Sequence, residues 1–303
     1  MKYRTLGNTD LRLSALGFGC GAIGGLMVRG KAADRILAVA RAVEAGINYF
    51  DTAQMYGEGA SETHLGQALA ELRPDVVVGS KVTIQGDQMN EIENAFIAGA
   101  ELSLQRLQLD HLDLFYVHNL ISTRRDPARN LLEVADLEPI ANACQKLQST
   151  GKIRYWGFNG LGESAALLQA VDQYPADLIQ SCCNLINPST VLAAPTDFPF
   201  QDYGQLATRA ATAGMGVVAF RIMAGGGLCG DTTRHPVAAQ SVDPIATNAD
   251  LASDAAHAQR FAFLIEQGFV SDLPEAAIRF ALSLSPVTSA LIGLSDLDQL
   301  EQA

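Results

Sequence analysis

The chain has 303 residues, 48% of them hydrophobic, which suits one large α/β barrel or two ordinary domains with a core that needs no disulfide framework. A formal net charge of −12 argues against nucleic acid and anionic membrane surfaces as partners. Five scattered cysteines, Cys20, Cys144, Cys182, Cys183 and Cys229, odd in number and without a CxxC pair, disfavour a disulfide scaffold or a metal centre and point to reduced thiols in the cytoplasm.

The first residues, MKYRTLGNTD, have no apolar stretch of the signal-peptide kind. They read instead as a β-hairpin: KYRTLG, a turn at Asn8-Thr9-Asp10, then LRLSALG. Beyond it, short apolar runs alternate with amphipathic helical stretches. Strands are expected at 15–20, 49–52, 76–81, 112–118, 155–159, 178–182, 216–220 and 289–292. Between them lie helical patterns such as ADRILAVARAVEAG, SETHLGQALAEL and NEIENAFIAGAELSLQRL. Eight strands, each followed by a helix, make a (β/α)8 TIM barrel. No linker-like shift in composition divides the chain, so residues 1–303 read as one domain, and no apolar run reaches the roughly 20 residues of a membrane span. Long loops follow strand 4 (NLISTRRDPARN) and strand 7 (GGGLCGDTTRHPVAAQSVDP), on the face where barrel enzymes keep their active sites. The eighth strand is followed only by the stub DLDQLEQA. A truncated last helix would leave apolar barrel surface uncovered, so a natural chain that continues is expected.

Residues Gly19-Cys20-Gly21-Ala22-Ile23-Gly24 match GxGxxG after a strand. A dinucleotide fold needs a helix opening at the third glycine. Here Gly25 to Gly30 follow, with the helix expected near Ala33, so the cluster reads as a flexible loop at the barrel mouth.

The chemistry lies at the strand ends. The second strand ends in Asp51, the third in Lys81 and the fourth in His118, with Tyr56 in the loop beyond Asp51. A barrel gathers these ends around its mouth. Side chains alternate in and out, so Asp51 inward brings Tyr49 inward and sends Phe50 to the helices. Lys81 takes Gly79 and Val77 with it, and His118 takes Tyr116 and Leu114. A tyrosine with an ordinary pKa near 10 can protonate a developing alkoxide. A lysine beside it favours the phenolate, and the aspartate compensates the buried lysine. The histidine would orient a carbonyl oxygen. Taken singly, each of these residues also reads as a cap or a surface group, Lys81 least so. His64 reads as solvated or packing, His111 and His257 as surface residues, and Trp156 as outward-facing core. Met27, Met55 and Asn119 in the mouth loops are candidate substrate contacts.

The stretches GINYFDTAQMYGEGASETHLGQAL, GSKV, LFYVHN and GKIRYWGFNG resemble successive motifs of the aldo-keto reductase superfamily, over nearly the whole chain. The resemblance implies hydride transfer with NADPH or NADH bound in extended form, without a dinucleotide fold. It implies that Tyr56 is the proton donor, tuned by Lys81 and Asp51, with His118 orienting a small carbonyl or sugar substrate. It places Asp51 near the nicotinamide ribose, Gln180 and Asn159 on the carboxamide, and Phe220 against the nicotinamide ring. The pyrophosphate loop would be Arg221 to Gly230, with Gly225, Leu228 and Gly230. Cys20, Gly21, Gly293, Ser295 and Gln299 complete the expected cofactor contacts. Two departures stand out. Asn159-Gly160 replaces the Ser-Asn common in the superfamily, and Gly293 to Gln299 carries no basic residue for a 2′-phosphate. NAD, or dual use of NAD and NADP, is therefore expected over strict NADP use, unless Arg234 and His235 reach that phosphate. The stretches FDTAQMYGEGASE and VVAFRIMAGGGLCG most resemble the branch of aldose and L-galactose dehydrogenases. Two alternatives remain open at this point. One is a regulatory nicotinamide-nucleotide-binding subunit such as the potassium-channel β-subunits of this fold. The other is a barrel enzyme that uses Lys81 as a Schiff base.

Overall fold

The computed structural model describes residues 1–174 and 176–303. Short apolar runs with side-chain period two become strands, and the intervening stretches with one apolar face become helices that cover them. In chain order, a hairpin of β1 (Tyr3–Thr5) and β2 (Arg12–Ser14) leads into β3 (Leu16–Gly19). Helices α1 (Leu26–Arg29) and α2 (Ala32–Glu44) precede β4 (Tyr49–Asp51), and α3 (Ala60–Leu72) precedes β5 (Val77–Val82). Then come α4 (Ile92–Leu107) and β6 (Leu112–Val117), followed by the short strands β7 (Ile121–Ser122) and β8 (Leu132–Glu133) and by α5 (Leu137–Ser149). The chain continues through β9 (Ile153–Gly160), α6 (Ser164–Gln173), β10 (Leu178–Cys182), α7 (Leu206–Thr212) and β11 (Gly216–Phe220). It ends with α8 (Leu251–Ala258), α9 (Phe263–Glu266), α10 (Leu273–Ser283), β12 (Ser289–Gly293) and α11 (Leu297–Gln302).

The eight strands β3, β4, β5, β6, β9, β10, β11 and β12 close into a parallel barrel in chain order, so the (β/α)8 expectation holds. Two apolar layers follow from alternation along each strand. Tyr49, Val77, Leu114, Tyr116, Leu178, Val218 and Leu291 fill the interior. Phe50, Val78, Phe115, Phe158 and Ile179 face outward into the layer shared with the helices. Tyr155 joins the inner layer and Trp156 the outer one, as parity requires. Leu6, Leu11 and Leu13 of the hairpin pack onto the inner layer and form a floor at the N-terminal end of the barrel. The mouth is left at the other end.

One expectation is corrected, one is filled in, and one feature is new. The glycine cluster does not run as a flexible loop to Ala33: α1 intervenes, and Leu26 donates its backbone N–H to the carbonyl of Leu294 (3.1 Å). The loop after His118 is not bare, because β7 and β8 pair within it. A third long connection, 183–205 after β10, went unforeseen; its polar residues bond to one another, as in Asn187 Oδ1 with Ser189 Oγ (2.6 Å), so no hydrophobic period announces it.

Candidate active site

Strands β4, β5 and β6 lie side by side, which brings their C-terminal ends together. Asp51 and Lys81 are buried there. Lys81 Nζ donates to Asp51 Oδ2 at 2.5 Å and to the Thr52 carbonyl at 2.7 Å. Tyr56 arrives from the turn after β4, where Gly57, Glu58 and Gly59 all have positive φ and reverse the chain into α3. The Lys81 ammonium lies 5.1 Å from the Tyr56 ring centroid. His118 meets Tyr56 edge-on, with centroids 5.7 Å apart at 81°. All four residues predicted to converge therefore do so.

The electrostatics follow from burial and from this packing. Burial opposes the charge on Lys81, but Asp51 and Tyr56 beside it outweigh that and hold the ammonium above its usual value. Burial raises the Tyr56 phenol, while Lys81 pulls it back down; the net displacement is upward. Burial, and after it the Lys81 charge, pushes His118 down to about 3, so its ring is neutral. His118 Nδ1 is buried without a hydrogen-bond partner among the described residues.

The other carboxylate oxygen of Asp51 is equally occupied. Oδ1 accepts from Tyr49 Oη (2.9 Å) and from Gln180 Nε2 (2.6 Å). Tyr49 Oη in turn contacts Tyr116 Oη at 2.9 Å. Parity had placed both tyrosines inside the barrel but not in the site; a tyrosine in an apolar run reads as packing until a partner for its hydroxyl is known.

Around the mouth the expected cofactor residues divide into two groups. Asn159 lies beside Gln180 in the β9–β10 register, and its side-chain amide makes no hydrogen bond among the described residues. Gly21 borders open space: a Cβ built there would have only the Tyr56 ring within 4 Å, at 3.8 Å. Phe220 sits half-buried at the end of β11 and touches both apolar layers. In the turn after it, Arg221, Ala224, Gly225 and Gly226 all have positive φ, which winds the backbone tightly; Ala224 and Gly225 are buried, and Arg221 and Gly226 are half-buried. These features fit a nicotinamide nucleotide lying across the mouth.

Others in that set are committed to the fold. Leu228 is buried in a satellite core with Ile186, Ala258 and Leu273. Gly230 packs so closely on α10 that a Cβ would lie 2.8 Å from Leu273. Cys20 is buried, its N–H on the Asp51 carbonyl (2.8 Å) and its carbonyl taken by Ser61 Oγ (2.8 Å). Ser295 Oγ bonds the Gly24 carbonyl (2.8 Å), and Gln299 Oε1 accepts the Ser295 N–H (2.8 Å); Gly293 beside them is exposed. Arg234 is tied to the carbonyls of Ala239 and Gly225, and His235 Nε2 faces Asp296 Oδ2 at 3.5 Å.

Two substrate candidates fall to the same logic. Met27 lies in α1 and is buried in the helix layer, which a loop assignment had missed. Asn119 is buried with all its polar atoms used: Oδ1 accepts from Ile84 N–H, and Nδ2 donates to the Ile84 and Asn130 carbonyls, each at 2.8 Å. It staples the mouth loops and presents nothing to a substrate. Met55 is 60% exposed and stays a candidate. Of the two readings of His64, packing describes it better: the ring is half-buried, with Nδ1 2.7 Å from Arg35 Nη1 and 2.8 Å from the Met27 carbonyl.

One contact at the mouth had no sequence signal. Arg29 Nε donates to the Val237 carbonyl (2.7 Å) and its Nη2 to the Ala22 carbonyl (2.5 Å), while Ala239 N–H bonds the Ile23 carbonyl (2.9 Å). The loop after β11 is thus tied across to the loop after β3.

A parallel barrel whose mouth joins a carboxylate, an ammonium, a phenol and a neutral imidazole belongs to the class of barrel oxidoreductases that interconvert carbonyls and alcohols. The profile of the Aldo/keto reductase family matches residues 15–303, and the chain belongs to that family; it is an NAD(P)-dependent oxidoreductase. An L-galactose dehydrogenase from Arabidopsis thaliana is 28% identical over 312 residues, which cover 100% of this chain and 86% of that one. A second Arabidopsis thaliana chain, named "Probable voltage-gated potassium channel subunit beta", is 31% identical over 163 residues, 52% of this chain and 46% of its own length. Among solved structures, the holo form of an aldo-keto reductase from Bacillus halodurans superposes with a TM-score of 0.71 at 23% identity, covering 100% of this chain and 89% of that one. Among the described residues, no helix is long and apolar enough to cross a membrane.

Proposed function

We propose that Tyr56 is the general acid and base of a sugar or aldehyde dehydrogenase in which Asp51 and Lys81 tune the phenol and His118 holds the substrate oxygen. The observation that carries this reading is the position of the Lys81 ammonium, 2.5 Å from Asp51 Oδ2 and 5.1 Å from the Tyr56 ring centroid. A nicotinamide cofactor, when bound, accepts or supplies the hydride. In the oxidative direction, Tyr56 as phenolate takes the hydroxyl proton of the alcohol or anomeric carbon while that carbon loses its hydride; the product is a carbonyl or a lactone. In the reductive direction, Tyr56 as phenol returns the proton to the alkoxide oxygen. Neutral His118 is read as the Nε2–H tautomer, because a buried lone pair at Nδ1 is tolerated more readily than a buried unpaired N–H. Nε2–H then donates to the substrate oxygen. Asn159 is assigned to the carboxamide. Gln180 uses one Nε2 hydrogen on Asp51 Oδ1 (2.6 Å) and turns the other toward Tyr49 Oη (3.5 Å), so its Oε1 is the atom assigned to that group.

The full-length likeness to an L-galactose dehydrogenase supports an aldose-type hemiacetal as substrate, with Met55 at the pocket rim. NAD is the favoured cofactor, with dual use second: Gly293 to Gln299 holds Asp296 and Asp298 and no cation, Arg234 is spent on two carbonyls, and His235 faces Asp296. Reduced cysteines support a cytoplasmic location. The Schiff-base alternative needs a neutral amine, which the raised Lys81 does not supply.

The test is turnover on a panel of aldoses and aldehydes with each cofactor. Wild type is expected to favour NAD in kcat/KM, and Tyr56→Phe is expected to lose at least about a hundredfold in kcat with cofactor Kd unchanged. A kcat within about tenfold of wild type removes Tyr56 from the role. A hundredfold NADP preference overturns the cofactor assignment.

A further inference from the structure

We infer that Tyr49 and Tyr116 are positioning residues for the acid–base step, acting through Asp51 on the Lys81–Tyr56 pair. The inference rests on the reading of Tyr56 as acid and base.

Each phenol has one proton to give. An ionised Asp51 only accepts, so the 2.9 Å contact from Tyr49 Oη commits the Tyr49 proton to Oδ1. The Tyr49–Tyr116 contact, also 2.9 Å, then runs one way, with Tyr116 donating. The result is a directed chain from Tyr116 to Tyr49 to Asp51 and on to the Lys81 ammonium. Gln180 adds a second donor to Oδ1 at 2.6 Å. All three donors are buried, where hydrogen bonds polarise one another and are worth more than at the surface.

Two consequences follow. The carboxylate plane is fixed by donors on both oxygens, which aims Oδ2 at Lys81 Nζ. The negative charge on Asp51 is also shared with the phenol chain, so it neutralises less of the Lys81 charge and leaves more of that field for the Tyr56 oxygen. Removing the Tyr49 hydroxyl returns charge to Asp51 and weakens the pull of Lys81 on the Tyr56 proton.

The groups facing Tyr56 are Cys20 from the end of β3, Asp51 from β4, Lys81 from β5, His118 after β6 and Arg221 after β11. Of these, burial raises the Cys20 thiol, Lys81 is held above its usual value and His118 lies far below neutrality. Burial, followed by the Asp51 charge, also holds Tyr49 and Tyr116 well above an ordinary phenol. Tyr56 is itself held above an ordinary phenol by burial, with Lys81 opposing, so the alkaline rising limb is assigned to the Tyr56–Lys81 pair.

The experiment is the pH profile of kcat/KM for alcohol oxidation by the full-length enzyme. Tyr49→Phe should move the rising limb to higher pH by about half a unit or more, the scale of one lost charge-assisted bond relayed through two groups. Tyr116→Phe should move it the same way by less. In a Tyr49→Phe background, Tyr116→Phe should add nothing, since its path runs through Tyr49. Because the two residues touch and packing defects in contacting residues also couple, the melting temperature of each variant is measured alongside; a limb shift without a matching loss of stability is the expected result. The buried Tyr203, outside the site, serves as control: Tyr203→Phe should leave the limb in place. Should Tyr49→Phe fail to fold, the double variant removes both hydroxyls without orphaning one, and carries the same expected shift. An unmoved or lowered limb, or additive shifts, overturns the inference while Tyr56→Phe stays inactive. An active Tyr56→Phe instead overturns the reading on which the inference rests.

Discussion

The role proposed for His118 needs a neutral ring, and its neutrality is a property of its neighbours. An exposed histidine titrates near 6.5; burial and then Lys81 bring this one to about 3. Between those two values the unfolded chain binds a proton at this position and the folded chain does not. Stability contributed here is present above about 6.5 and is lost as pH falls toward about 3. His118→Asn should flatten that part of the slope. Denaturant midpoints at pH 7, 5.5 and 4.5 for both proteins check it, and parallel slopes would count against it. At this scale the sequence yielded residue type and parity, which were enough to bring Asp51, Tyr56, Lys81 and His118 together. They were not enough to tell packing from function. Tyr49 and Tyr116 read as core, and Met27 and Asn119 read as pocket, because the deciding fact in each case is which distant atoms the side chain meets.

The mouth is assembled from loops, and glycine at one of them is set by a neighbour far along the chain. A Cβ on Gly24 would lie 2.5 Å from Leu294 N and 2.6 Å from Leu294 O. The loop after β3 therefore lies directly on the loop after β12, and Ser295 Oγ closes the contact on the Gly24 carbonyl. The third glycine of GxGxxG thus serves a backbone-to-backbone approach rather than a phosphate. Gly24→Ala must push the two loops apart at a cost of about 1–3 kcal/mol, the usual range for overpacking, and should also weaken NAD binding, because Gly21 and Gly293 flank the same contact. A melting curve and a fluorescence titration with NAD read both effects; wild-type values for both would show that the loops yield freely. Long helices were legible because their apolar period repeats several times, and the short barrel strands because each apolar run is set off by the helical stretches around it. The four-residue α1, the β7–β8 pair and the 183–205 connection were not, since each is too short or too polar to carry a period and is held by tertiary hydrogen bonds.

For the molecule as a whole, the barrel separates stability from chemistry by putting them at opposite ends. Leu6, Leu11 and Leu13 of the hairpin seal the floor against the inner layer, and the reacting groups occupy the mouth. Leu13 is fully buried, so Leu13→Ala should lower stability by about 2–5 kcal/mol and leave kcat of the folded fraction within about twofold of wild type. Urea unfolding and active-site-normalised turnover measure the two; a large fall in kcat with unchanged stability would break the separation. What the sequence by itself determined is the barrel, the reaction class and the convergence of Asp51, Tyr56, Lys81 and His118, because these follow from strand parity, from residue types at strand ends and from the family motifs around them. Tertiary structure alone decided which atoms answer the tetrad. The phenol chain beneath Asp51, the Arg29 tie across the mouth, and the burial of the Met27, Asn119 and Leu228 side chains all depend on atoms brought together from opposite sides of a closed sheet. No local pattern in the chain records which of those atoms will meet.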